Sequence, residues 1–162
     1  MDTQVADLLG GERVLGASVK SNLDLARATR QGLPAETVVR LIEAISLDGY
    51  DDSEAIGVAA MGPLRYLVGS LGYPANFQNV DDGNGNALPA RLTPEQSDLV
   101  IRTASTLARA IDVLGDRERA AHWLIAPNRA LGEEIPINLL DTSAGAHEVE
   151  ALLDRIEYGV YS

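Results

Sequence analysis

The chain has 162 residues, of which 46% are hydrophobic, and it carries a formal net charge of −11 at pH 7 with no cysteine. A chain of this length and apolar content can bury a real core, as one domain or two small ones. The lack of cysteine excludes disulfide bridges, thiolate zinc sites and cysteine nucleophiles, while the acidic charge disfavours anionic polymers as partners and favours a basic one.

The first half of the chain predicts short helices separated by turns. Residues 34–47 place four apolar side chains at the i, i+3, i+4, i+7 spacing of one buried helical face. These are Val38, Leu41, Ile42 and Ile45. Residues 51–61 begin with an acidic pattern like a capping box, and residues 62–72 form a third short apolar stretch. Three short helices in this order favour a unit resembling a helix-turn-helix.

Residues 73–91 are rich in Gly, Asn and Pro and show no period, which predicts an exposed loop. Part of this segment begins like a calcium-binding loop at Asp82. However, the sixth position is Ala87 instead of glycine, and the twelfth is Thr93 instead of a bidentate Glu. We therefore favour a plain turn-rich loop and expect no metal.

The second half predicts a long helix from Thr93, with Pro94 at the first helical position and Gln96 completing a capping box. Its apolar face consists of Val100, Ala104, Leu107, Ala108, Ile111 and Leu114. Two shorter elements follow, the first stopping at Pro127 and the second entered at Pro136. Residues 144–159 predict a final amphipathic helix. Its expected core stripe is Val149, Leu152, Leu153 and Ile156.

The expected fold class is therefore all-α, in three parts. Residues 1–75 are interpreted as an N-terminal, degenerate helix-turn-helix-like helical region that mediates dimerisation. Residues 76–92 are the loop, and residues 93–162 are a C-terminal helical domain.

Several classes of function lack support in the sequence. His122 and His147 are the two histidines, and no carboxylate pair accompanies them at a zincin spacing. No nucleophile elbow, phosphate-binding loop or dinucleotide fingerprint is present, so we expect neither an enzyme nor a cofactor. No apolar run approaches the roughly 18 residues of a membrane span, and a signal-peptide layout is missing. These features favour a soluble, cytoplasmic protein with no membrane partner.

The second half contains a series of spaced motifs: a G-D after the long helix, then W-L, P-N-x-A-L-G, P-x-x-L-L-x-T and a terminal L-x-R-I-x-x-G. Their positions are Gly115, Asp116, Trp123, Leu124, Pro127, Asn128, Ala130, Leu131, Gly132, Pro136, Leu139, Leu140, Thr142, Gly145, Val149, Leu153, Arg155, Ile156 and Gly159. In this pattern the chain resembles, over roughly residues 93–162, the toxin-binding domain of Xre/MbcA/ParS-type antitoxins. We expect most of this motif to serve structure. The residues assigned to structure are Trp123, Leu124, Pro127, Asn128, Leu131, Gly132, Pro136 and Leu140.

The resemblance implies a partner: a cognate toxin with a RES domain, which is similar to ADP-ribosyltransferases and consumes NAD or transfers ADP-ribose. In such pairs the C-terminal segment of the antitoxin covers the NAD cleft of the toxin. An acidic last helix suits a basic pocket, and tyrosines are common interface anchors. The candidate toxin-binding residues are Glu150, Asp154, Arg155, Glu157, Tyr158, Gly159, Val160, Tyr161 and Ser162. The alternative is that this tail packs onto the chain's own core.

A helix-turn-helix regulator that binds operator DNA is the competing function. Such modules draw most of their affinity from contacts between basic residues and phosphates. Between Leu41 and Ile101, however, two basic residues, Arg65 and Arg91, stand against nine acidic ones. We therefore expect DNA binding to be weak or dependent on a complex, and we expect a homodimer that forms a hetero-oligomer with the toxin.

Overall fold

A computed structural model describes residues 2–46, 63, 64, 67 and 91–159. Within these residues the fold is all-α, as predicted, and the only β-type pairings are two isolated bridges. None of the described helices is both long and apolar enough to cross a membrane.

Four short helices lie within residues 2–46. They are α1 (Asp2–Leu8), α2 (Gly11–Leu15), α3 (Asn22–Gln31) and α4 (Glu36–Ile45). Ser21 caps α3 by accepting a hydrogen bond from the backbone N–H of Asp24. The Asp24 carboxylate in turn accepts bonds from the Lys20 backbone and the Ser21 hydroxyl, at 3.1 and 2.9 Å. This cap fixes where α3 begins.

The C-terminal segment, residues 91–159, contains three α-helices and two 3₁₀ helices. They are α5 (Pro94–Leu114), α6 (Arg117–Ile125), a first 3₁₀ helix (Arg129–Leu131), a second (Pro136–Asp141) and α7 (Ser143–Glu157). The predicted capping box is confirmed, since Thr93 and Gln96 exchange both of its hydrogen bonds. Asp116 and Thr142 cap α6 and α7, and their side chains accept hydrogen bonds from the backbone N–H groups of Arg119 and Gly145.

Helix α5 is the central element of the fold. It contacts α1, α3 and α4 as well as α6, α7 and the second 3₁₀ helix. Its buried face combines larger side chains with several alanines, and small residues allow neighbouring helices to approach closely. The fully buried apolar residues of this face are Val100, Ala104, Leu107, Ala108 and Ala110. One hydrophobic core cluster therefore includes residues from both ends of the chain.

The turn after α3 is tied to the start of α5. The buried Leu33 donates its backbone N–H to the Ser97 hydroxyl at 2.9 Å, and its carbonyl accepts from the Leu92 backbone at 2.8 Å. Arg91 also donates a 2.8 Å bond to the Gly32 carbonyl. These bonds satisfy backbone groups that burial would otherwise leave without partners.

The predicted face of α4 is largely confirmed. Val38, Leu41 and Ile45 are buried, while Ile42 is half-buried against the core. The predicted helix at residues 51–61 and nearly all of the predicted loop at residues 73–91 lie outside the described residues. Of the stretch at residues 62–72, the described positions 63, 64 and 67 are helical, and Leu64 and Leu67 belong to the core.

Candidate functional site

Helix α7 carries most of the residues that the sequence assigns to a partner, and its opposite face holds it on the core. Val149, Leu152 and Leu153 are buried as predicted. Ile156, expected to continue this stripe, is only half-buried. The helix is thus anchored through its middle, and its last turn lies at the edge of the core.

The end of α7 projects an aromatic side chain away from the core. The Tyr158 side chain is 75% exposed, while its backbone N–H still donates to the Asp154 carbonyl at 3.0 Å. Gly159 then takes a left-handed conformation with φ 68°, which ends the helix. The remaining candidates, Val160, Tyr161 and Ser162, lie outside the described residues.

The last turn of α7 is held by a cation from another helix. Arg109 of α5 donates to the Asp154 carboxylate at 2.9 Å and to the Glu157 carboxylate, where one of two contacts measures 3.3 Å. The hydrogen bonds that Arg109 donates, to Glu157 above all and then to Asp154, raise the pKa of Arg109 above its already high value. We call Arg109, Asp154 and Glu157 the Arg109 latch.

The other charged candidates on α7 have different surroundings. Glu150 is exposed to solvent. Arg155 is half-buried, and its Nε atom is buried without a hydrogen-bond partner among the described residues. The neighbouring Asp154 forms an ion pair with Arg109.

The positions expected to serve structure differ in their burial. Leu124, Leu140 and Pro136 are buried. Trp123 and Leu131 are half-buried and pack against the core. Trp123 is thus an edge residue of the core, since its indole ring keeps contact with solvent.

The loop between α6 and the second 3₁₀ helix is organised by Asn128. Pro127 follows the end of α6, as predicted, and the Asn128 side chain accepts a hydrogen bond from the Ala130 backbone at 3.0 Å. The Asn128 backbone also exchanges bonds with the 133–134 segment, at 2.9 and 3.0 Å. Gly132 and Glu133 both adopt positive φ values, 70° and 67°. Asn128 therefore caps the first 3₁₀ helix and joins the two sides of this loop.

Neither histidine belongs to a cluster with metal-ligating composition. No group of three or more His, Cys, Asp or Glu side chains converges within the part of the chain that the structure describes.

Arg109 is the site residue that sequence reasoning missed. Forty-five residues separate it from Asp154, so no local pattern connects the two. One signal was available: two acidic residues three positions apart at the C-terminal end of a helix. Such a pair opposes the helix macrodipole and needs a cation nearby.

Comparison with known proteins agrees with the resemblance seen in the sequence. Residues 109–159 match the family model of the antitoxin Xre/MbcA/ParS C-terminal toxin-binding domain. The protein named Antitoxin Xre from Yersinia enterocolitica is 32% identical over 136 residues, which cover 81% of this chain and 87% of the relative.

Two further proteins named Antitoxin Xre match this chain over about half of their own length. The one from Photorhabdus laumondii is 37% identical over 73 residues, covering 44% of this chain and 49% of the relative. The one from Pseudomonas putida is 34% identical over 68 residues, covering 42% of this chain and 43% of the relative. Since the Yersinia relative aligns over most of both chains, this protein belongs to the Xre family of antitoxins, and its second half carries the match to their toxin-binding domain.

Proposed function

We propose that this protein binds a RES-domain toxin and neutralises it by covering the toxin's NAD-binding cleft with the end of α7 and the residues that follow. The observation that carries this proposal is the position of Tyr158. It is exposed at the end of a helix whose other face is anchored by Val149 and Leu153. An exposed aromatic side chain on a fixed support is the usual form of an interface anchor.

Charge supports the same partner. A cleft that holds the pyrophosphate of NAD requires basic groups, and the C-terminal end of a helix carries partial negative charge. The exposed Glu150 adds a full negative charge to this surface. Asp154 and Glu157 contribute less free charge than the sequence suggested, because Arg109 is bound to both.

The competing function, operator binding through the N-terminal helices, fits the described surface poorly. Helix α4 is the first helix of the expected helix-turn-helix-like unit, and its exposed charged residues are Glu36 and Glu43. Its basic residue, Arg40, pairs with both of them, at 2.9 and 3.1 Å. A helix that presents carboxylates would repel DNA phosphates. DNA binding is accordingly weak in this proposal, or depends on the toxin complex.

The N-terminal region, residues 1–75, is assigned to self-association, as the resemblance implies. In this proposal the protein is a homodimer that assembles with the toxin into a larger complex. Sedimentation at tens of micromolar tests this assignment, and a monomer at that concentration would contradict it.

The central experiment is co-expression of the protein with the RES-domain product of its neighbouring gene, with cellular NAD as the readout. The protein should keep NAD at the level of toxin-free cells, and a variant lacking residues 158–162 should not. A parallel titration of the protein against duplex DNA from upstream of its gene, at stated salt, addresses the competing function. Full protection by the shortened chain, or nanomolar operator binding by the protein alone, would refute the proposal.

A further inference from the structure

Two negative charges lie where a helix tolerates them least. Asp154 and Glu157 are three residues apart in the last turn of α7, so they share one face and repel each other. The unsatisfied carbonyl groups at a helix C-terminus add further negative potential. Without a cation, this turn would tend to fray, and the segment that begins at Tyr158 would lose its fixed starting point.

Arg109 supplies that cation from α5. Its side chain is 23% exposed, and its guanidinium reaches both carboxylates, whose side chains are 57% and 39% exposed. A planar guanidinium can bind two carboxylates at once, and partial burial reduces screening by solvent. The latch therefore joins the end of α7 to the central helix of the fold, beyond the last fully buried residue of α7, Leu153.

We propose that Arg109 is a positioning residue for toxin recognition: it holds the last turn of α7 in place so that Tyr158 and Gly159 are already ordered when they meet the toxin. This inference rests on the proposed function. Under this inference, Asp154 and Glu157 do not contact the toxin themselves. They hold the end of α7 in place through their ion pairs with Arg109. A segment that is ordered before binding loses less conformational entropy when the complex forms.

The chain contains a matched control for Arg109. Arg102 lies seven residues earlier on the same helix, and its side chain has nearly the same exposure, 24%. Its partners are Asp98 on its own helix and the Leu140 carbonyl, to which it donates at 3.0 Å. Arg102 therefore braces a different element, and losing it removes an arginine from α5 without releasing the end of α7.

The first test is a double-mutant cycle measured by calorimetric titration with the RES-domain product of the neighbouring gene. The cycle combines Arg109→Gln with Tyr158→Ala, and Arg102→Gln takes the place of Arg109→Gln in the control. Arg109→Gln should weaken binding roughly tenfold when Tyr158 is present and about threefold or less when it is absent. Arg102→Gln should show no coupling to Tyr158. Arg109→Lys, which keeps the charge, should recover part of the affinity.

Other results would overturn the inference. Equal weakening with and without Tyr158 means that Arg109 acts through general stability or touches the toxin directly. Tighter binding by Arg109→Gln means that the freed carboxylates of Asp154 and Glu157 contact the toxin. If the wild-type chain does not bind the RES protein at all, the proposed function fails. The hydrogen-exchange measurement described next then tests independently whether Arg109 holds the end of α7.

The second test uses the protein without toxin. Amide hydrogen exchange reports local opening, so Arg109→Gln should speed exchange at Tyr158 and Gly159, whose N–H groups bond to the last turn of α7. Exchange at core amides such as that of Leu153 should stay slow, which also shows that the variant is folded. Unchanged exchange at the helix end in a folded variant would refute the latch.

Discussion

Gly145, in the first turn of α7, lies against the backbone of Leu139. A Cβ atom built on Gly145 would be 2.0 Å from the Leu139 carbonyl oxygen and 2.8 Å from the carbonyl carbon. No side chain fits at this distance, and the obstacle is backbone that cannot move aside without displacing the second 3₁₀ helix. This contact allows the 3₁₀ helix to turn directly into α7.

The first prediction follows from this contact. Gly145→Ala should destabilise the protein by about 3 kcal/mol, a typical upper value for overpacking a rigid site. Gly132→Ala is the control, because its Cβ would meet nothing within 4 Å although its φ is +70°. It should cost about 1 kcal/mol from the left-handed conformation alone. Urea unfolding of both variants measures the difference, and equal costs would contradict the steric explanation.

The second prediction concerns the bond between Leu33 and Ser97. Ser97→Ala leaves the buried Leu33 amide without its partner, so the free energy of unfolding should fall by about 1–3 kcal/mol. Ser105→Ala on the same helix serves as the control. Ser105 is half-buried, and its loss should change stability by about 0.5 kcal/mol or less. A Ser97→Ala variant as stable as the control would show that the Leu33 amide finds another acceptor.

The third prediction concerns pH and Asp24. The hydrogen bond donated by the Lys20 backbone, and after it the one from the Ser21 hydroxyl, lower the pKa of Asp24 below its ordinary value of 3.8. The stabilisation from its ionised form is therefore complete above pH 3.8 and is lost as the pH falls through the lower, folded-state pKa. In the Asp24→Asn variant, the free energy of unfolding should therefore fall less steeply as the pH is lowered through this range.

Urea unfolding at a series of pH values between about 5 and 2 measures the effect of Asp24. Asp112→Asn, on the exposed side of α5, controls for the change in net charge. If both variants lose stability with acid as steeply as the wild type, the α3 cap is not the origin of the effect.

The fourth prediction separates folding from inhibition at the end of α7. Tyr158→Ala should leave the melting temperature nearly unchanged, because the side chain is exposed. It should weaken toxin binding by about 2 kcal/mol, the loss typical of an interface hot spot. Trp123→Ala should instead lower the melting temperature, because Trp123 packs against the core, and should affect binding only through the fold.

A truncated chain extends this test of the tail. It should end at Glu157, so that the Arg109 latch stays intact and only the residues beyond it are lost. Thermal melting and cellular NAD should be measured for each variant. A tail-less chain that unfolds would show that the tail belongs to the core, contrary to this prediction.

Much of the helical framework was determined by the sequence itself. The sequence alone predicts the start of α5 at Thr93 and Pro94, the stop before Pro127 and the burial of Val149 and Leu153. Capping, proline exclusion and helical periodicity act over three or four residues, so a single sequence contains the full signal. The resemblance to a known family likewise depends only on spaced residues along the chain.

The electrostatic character of the candidate site was decided only by the tertiary structure. From the sequence, Asp154 and Glu157 appear as free acidic groups that could face a toxin, and Arg109 appears as an ordinary residue of α5. Folding brings them together across 45 and 48 residues of chain. The bond between Leu33 and Ser97 spans 64 residues in the same way. Such pairs depend on how helices pack against α5, and helix packing leaves no periodic trace in a single sequence.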